Sequence, residues 1–136
     1  MKKLFFILFW CITLFASQNI YAQKKASQQT QELYLFGVGT SFNDSTTYMS
    51  AIQRFQGDFI EKKTGFLENR AVYATQMKIY LEQNYPGYET CAIFFSTDKK
   101  KIEKKYTKMR RRYMKDNTTK LLEIPVTEFT FNPIKK

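Results

Sequence analysis

A chain of 136 residues that is 43% hydrophobic, 17% aromatic and 25% charged has the composition of a folded protein, not of a collagen-like, low-complexity or disordered polymer, and the length of one domain. Its formal net charge is +10, from 22 basic and 12 acidic residues. It contains no histidine, which removes Ser-His-Asp and Cys-His nucleophile systems, His-Glu-x-x-His zinc sites and a histidine pH switch.

In chain order the first element reads as an export signal. Lys2 and Lys3 form a positive start, Leu4 to Ala16 is apolar apart from Thr13, and Ser17-Gln18-Asn19 leads to Ile20-Tyr21-Ala22, a small residue suited to cleavage. Thirteen residues at about 1.5 Å each span roughly 20 Å, short of the roughly 30 Å hydrocarbon core that an anchor must cross. The expected organisation is a cleaved signal at 1–22, a flexible polar leader at 23–31, one globular domain at 32–132 and a tail at 133–136. The expected location is periplasmic or secreted, with no mature transmembrane segment. Cys11 sits behind the bulky Phe9-Trp10, which argues against a lipid-attachment cysteine. Cleavage leaves Cys91 alone, so the domain holds together by its core without an intrachain disulfide, and Cys91 itself reads as a small core residue.

Leu33 to Val38 is a short apolar run followed by glycine, the pattern of a buried strand. Thr40 to Thr47 is turn chemistry, and Tyr48 to Phe55 alternates weakly as a second strand. Gly57 to Gly65 reads as a loop. The spacing predicts a helix over Leu67 to Asn84, with Leu67, Ala71, Ala74 and Leu81 on one apolar line and Phe66, Tyr73, Met77 and Tyr80 on the next. Asn84-Tyr85-Pro86-Gly87 ends it. Cys91 to Phe95 is apolar on both faces, as a strand covered on two sides would be. A second helix follows to about Lys115, with Ser96, Thr97 or Asp98 as its N-cap and Ile102, Tyr106, Met109 and Tyr113 as a narrow buried stripe. Lys120 to Ile124 is a strand ended by Pro125, and Thr127 to Phe131 alternates as an edge strand or a packed tail. The fold expected is a small single-domain α/β or α+β sandwich, four to five short strands with two helices in the order ββαβαβ, its crossovers right-handed.

Gly37-Val38-Gly39-Thr40-Ser41-Phe42-Asn43-Asp44-Ser45, followed by Tyr48 and Ile52-Gln53, resembles the pattern of a family of small uncharacterised secreted bacterial proteins. Phe66-Leu67-x-x-Arg70-x-x-Tyr73-x-x-Gln76 and the basic helix are similar to that family too. The resemblance implies a coherent small domain over most of the mature chain and transfers no catalytic residue.

Charge is the strongest functional signal. Thr97 to Lys120 holds eleven basic and three acidic residues, while the rest of the mature chain balances at nine against nine. Because the apolar stripe must face inward, Lys100, Lys101, Lys104, Lys105, Lys108, Arg111, Arg112 and Lys115 are driven together into a positive ridge. The ridge is the expected binding surface of an exported, non-catalytic module, its partner an anionic envelope polymer, lipid head groups or an acidic protein. Nucleic acid fits less well, since Tyr106 and Tyr113 lie on the buried stripe and leave no stacking platform among the lysines. Insertion of the helix into a membrane is disfavoured because the core needs its narrow apolar stripe, whereas peripheral contact with an anionic surface stays compatible. The other reading of the ridge is a merely solvated helix face.

The alternative is a small hydrolase or transferase centred on the polar loop of Ser41, Asn43, Asp44, Ser45 and Tyr48, with Arg70 holding a carboxylate: that of Asp44 as a structural pair, or a ligand's. The loop is equally readable as an aspartate-stabilised turn. Ser41-Phe42-Asn43, Lys63-Thr64-Gly65 and Ser96-Thr97-Asp98-Lys99 echo the serine acyl-transferases, but their order is reversed and the chain is too short for that fold. Neither cofactor nor metal is indicated.

Overall fold

The computed structural model describes residues 31–57, 59–85, 87 and 89–134. The expected signal at 1–22 and, apart from Gln31, the leader at 23–31 lie outside the described residues, as do 135–136.

Strand β1 (Glu32–Ser41) is buried without interruption from Leu33 to Gly39. Such a run needs cover on both faces and partners on both edges, and β1 has them. Strand β4 (Glu89–Ser96) runs antiparallel along one edge, from Tyr34↔Ser96 to Ser41↔Glu89. Along the other edge lie β2 (Thr46–Ser50) and β3 (Gln53–Gln56), both antiparallel and placed end to end. Strand β5 (Lys120–Ile124) adds parallel to β2, completing a mixed five-stranded sheet. Helix α1 (Arg70–Asn84) joins β3 to β4, and helix α2 (Lys99–Lys115) joins β4 to β5.

The second strand expected at 48–55 is thus two strands, and the register shows why. Val38 faces Met49 and Leu35 faces Gln53, three steps on β1 against four on its neighbour. The extra residue is a β-bulge at 50–52. Ser50, with no exposed surface, accepts the Gly37 N–H on its Oγ at 2.8 Å, while the Ala51 N–H turns away to the Ile124 carbonyl at 3.0 Å. The bulge therefore leaves neither amide without a partner.

Side chains alternate across β1 and feed two cores. Leu33, Leu35, Tyr48, Ile93 and Ile124 pack with Tyr73, Met77 and Leu81 of α1; Tyr34, Phe36, Val38 and Met49 pack with Ile102 of α2 and, beside it, Tyr106, Met109 and Tyr113. The helices therefore cover opposite faces, making a single small α+β domain. Each crossover joins parallel strands; the two traverse the sheet in opposite directions on opposite faces, so they share one hand. Residues 31–136 form a compact unit of their own, and among the described residues both cores lie between Leu33 and Ile134.

Helix α1 starts at Arg70, three residues later than its periodicity predicts. Leu67 is taken by a bridge to Ile60, and Asn69 ends that turn in the left-handed region at φ 57°, a conformation asparagine tolerates. The buried stripe is correspondingly narrower: Phe66 and Ala71 are exposed, and Tyr73, Met77 and Leu81 carry it. Gly37 and Gly39 let this stripe settle on the sheet, since a Cβ at either would overlap Met77 Sδ or Leu81 Cδ1. Helix α2 follows the expected pattern. Of its three candidate caps Asp98 acts, accepting the N–H groups of Lys100 and Lys101.

Of the two alternatives for 127–131, the structure shows the packed tail. Phe129 and Phe131 enter the α1-side core, and side-chain amides hold the backbone that brings them there. Gln53 donates to the Phe129 carbonyl at 3.3 Å and accepts from the Phe131 N–H at 2.7 Å. Gln76 donates to the Asn132 carbonyl at 3.1 Å and accepts from its N–H at 2.8 Å. The Tyr73 hydroxyl accepts from the Ile134 N–H at 3.2 Å. Two glutamines thus replace the neighbouring strand that the tail lacks.

Two outcomes are expected in urea unfolding. Gln53→Ala, which leaves two buried backbone groups without partners, costs about 2–4 kcal/mol, whereas Gln76→Ala at the exposed clamp costs about 0.5–1.5 kcal/mol. Gly37→Val costs about 1–3 kcal/mol by lifting α1 from the sheet.

Candidate functional site

An α-helix advances about 100° per residue, so a stripe at Ile102, Tyr106, Met109 and Tyr113 leaves Lys100, Lys104, Lys108, Arg111 and Lys115 on the opposite pole. All five are exposed, as are Lys101 and Arg112 beside them. The stripe of cations from Lys100 to Lys115 is about 22 Å long, and successive members such as Lys100, Lys104 and Lys108 lie about 6 Å apart.

The flanks of α2 are different. Lys105 Nζ sits 4.6 Å from the centroid of the Phe94 ring, a cation–π contact with the sheet. Arg110 Nε donates to Glu123 Oε1 on β5 at 2.7 Å, and the Tyr106 hydroxyl reaches the same oxygen at 3.3 Å. Lys99 and Glu103 pair along the helix at 3.9 Å. These contacts fasten the helix to the sheet or satisfy its edge. Among the described residues, Lys100, Lys101, Lys104, Lys108, Arg111, Arg112 and Lys115 make no ion pair. Lys105, exposed and also without an ion pair, differs from these seven in lying over the Phe94 ring. Spacing alone foreshadows this, since Lys105 and Arg110 border the buried stripe.

The alternative site does not assemble. Asp44 Oδ1 accepts the Thr46 N–H at 2.9 Å and Ser41 Oγ accepts the Asn43 N–H at 3.3 Å, so both side chains serve the turn between β1 and β2. Asn43 and Ser45 are exposed on that turn. Tyr48 is 3% exposed and packs in the α1-side core with its ring 4.8 Å from that of Tyr85. Arg70 lies toward the other end of the sheet, where its Nη2 donates to the Ile93 carbonyl at 2.9 Å and its guanidinium lies 5.7 Å from the Phe95 ring centroid. Its partner is neither Asp44 nor an open position for a ligand carboxylate. Ser96, from the acyl-transferase-like pattern, accepts the Asp98 N–H at 3.0 Å and helps start α2.

The position of Arg70 follows from hydrogen-bond parity. The Gly37 N–H points toward β2, so alternate β1 residues bond to that side and Tyr34, Phe36, Val38 and Thr40 bond to β4. Their partners Ser96, Phe94, Ala92 and Thr90 are thereby turned inward, and Cys91, Ile93 and Phe95 direct their backbone groups outward. Arg70 covers the central outward carbonyl with a charged side chain, a way of blunting an edge strand.

Electrostatics agree with this assignment of the acids. Hydrogen bonds from Thr46, side chain before backbone, hold the Asp44 carboxyl below its ordinary value, with Ser41 and the Lys120 charge adding to the effect. Asp116 is lowered in the same way by Thr118 and Thr119 at the turn after α2. Neither carboxylate is directed at the ridge. No group of three or more metal-ligating side chains occurs among the described residues, and none of their helices is long and apolar enough to cross a membrane. Compared with protein-family models, curated proteins and solved structures, the chain matches none.

A carboxyl whose folded-state pKa is depressed contributes its full stabilisation above the unfolded value, about 3.9 for aspartate, and loses it as pH falls through the lower folded value. The amide protons of Thr46 and Thr118 are therefore expected to titrate in NMR spectra with midpoints below about 3.9. A midpoint at or above that value would contradict the two turn assignments.

Proposed function

We propose that the protein is an exported, non-catalytic binding module that presents the outer pole of α2 to an anionic partner: an envelope polymer, lipid head groups or an acidic protein. The observation that carries this reading is the separation of roles on one helix. The flanking cations Lys105 and Arg110 are engaged with the sheet, while five at the pole and two beside it have no ion-pair partner among the described residues. Like charges one turn apart repel by about 0.2–0.5 kcal/mol per pair, a cost that a polyanion converts into attraction. The Ser41 to Ser45 turn with Arg70 offers no comparable support for catalysis, because Ser41, Asp44 and Arg70 are occupied with backbone groups and Tyr48 lies in the core. The apolar run at Leu4 to Ala16 supports export, with cleavage near Ala22 and a periplasmic or secreted mature form.

The test is a salt titration of Gln23 to Lys136 against immobilised lipopolysaccharide, an anionic wall polymer and anionic vesicles, with neutral vesicles as the control. Binding is expected to weaken with salt. Reversing Lys104, Lys108 and Arg111 to glutamate together is expected to lower vesicle binding by about 100-fold or more, at about 1 kcal/mol for each cation removed. The circular dichroism spectrum should not change, since none of the three touches the core. Binding that is indifferent to both salt and the reversal would sink the proposal.

A further inference from the structure

Phe42 is 75% exposed at the tip of the turn between β1 and β2, more than any other large apolar side chain among the described residues. The turn is not slack: Asp44 fixes the Thr46 amide, Ser41 the Asn43 amide, and the Ser45 carbonyl accepts the Lys120 N–H at 2.9 Å. The ring is thus held out in water on a braced support. Connectivity decides what lies at the same end of the sheet. Helix α2 leaves β4 beside Tyr34 and must return to Lys120, which faces Thr46, so its last turn sits at the Phe42 end. That turn adds Met114, 60% exposed, together with the ridge cations Arg112 and Lys115; Lys120 lies just beyond. The two aspartates at this end, Asp44 and Asp116, are bound into their turns.

A purely electrostatic partner, such as a wall polymer or an acidic peptide, has use for the cations and none for a projecting phenyl ring. A bilayer surface uses both. Aromatic side chains settle at the boundary between head groups and acyl chains, and cations near an anionic leaflet add to the hold. One apolar contact or one polybasic patch alone gives marginal binding, and the two together give stable attachment. Resting on the ridge reading above, we infer that the anionic partner is a lipid bilayer surface, met by this end of the domain with Phe42 entering the interface and Arg112, Lys115 and Lys120 beside the lipid phosphates. Helix α2 itself stays out of the membrane, its apolar stripe being committed to the core.

The sequence supplies a convenient probe. The single tryptophan, Trp10, lies in the expected signal, so Phe42→Trp introduces the only tryptophan of Gln23 to Lys136, which can be excited apart from the tyrosines at the red edge. Vesicles of phosphatidylglycerol and phosphatidylcholine are expected to shift its emission to the blue, and free polyphosphate is not. Phe42→Ser is expected to weaken vesicle binding about tenfold, the weight of one aromatic side chain leaving water, and to leave polyphosphate binding unchanged. At its exposure the substitution removes nothing from either core. Unaltered vesicle affinity in Phe42→Ser with no blue shift in Phe42→Trp overturns the inference; if the Lys104, Lys108 and Arg111 reversal still abolishes binding, the ridge reading survives and the partner is a polymer or protein. If that reversal has no effect either, the ridge reading falls as well.

Discussion

The central strand β1 is hydrogen-bonded on both edges and covered on both faces, and every other element takes its place from that fact. Saturated edges fix the parity of its amides, which decides the residues of β4 that face inward and the carbonyl that Arg70 must cover. Buried faces fix its side chains. On one side glycines at 37 and 39 let α1 lie close; on the other Phe36 stacks on Phe94 and meets Tyr106 edge-on, so α2 stands on a layer of rings. The bulge at 50–52 is the local adjustment that lets one neighbour run past β1 while also serving β5.

The span and buried stripe of helix α2 are legible because what defines them is local, a capping cluster, a stripe at the right period and polar residues elsewhere, although the sequence leaves the cap open among Ser96, Thr97 and Asp98. The strands at 33–38, 91–95 and 120–124 were legible from hydrophobic runs. What escaped were features whose cause lies far along the chain. Leu67 continues the α1 pattern yet is claimed by Ile60, and the break between β2 and β3 depends on register against β1 rather than on Ser50, Ala51 or Ile52 themselves. Tyr48 reads both as the start of a strand and as the end of a polar loop, because hydroxyl-bearing residues precede it; the structure places it in β2 with its side chain in the core. The partner of Arg70 is a backbone carbonyl, which carries no mark in a sequence.

Several polar and glycine positions in the strands and in α1 acquire a physical meaning. Gln53, Tyr73 and Gln76 hold the tail, Arg70 covers an edge, and Gly37 and Gly39 admit a helix. These are tasks of assembly. The cations of α2 divide in the same spirit: Lys105 and Arg110 on the flanks contact the sheet, and those at the pole make no ion pair among the described residues. Fold and surface can therefore be altered separately on a single helix.

The tail has a consequence for the order of assembly. Every described residue of the α2-side core has been made once the chain reaches Leu121, but the α1-side core waits for Phe129 and Phe131, and its clamps for Asn132 and Ile134. A chain emerging N-terminus first can therefore complete the core under α2 while the core under α1, where Tyr73, Met77 and Leu81 already meet Leu33, Leu35 and Ile93, still lacks Phe129 and Phe131. The contact between Gln53 and Phe131 spans 78 positions, so the last closure is also among the most distant in sequence. Until it is made, α1 lies on its face of the sheet without the two phenylalanines and without the Gln53 clamp that holds their backbone.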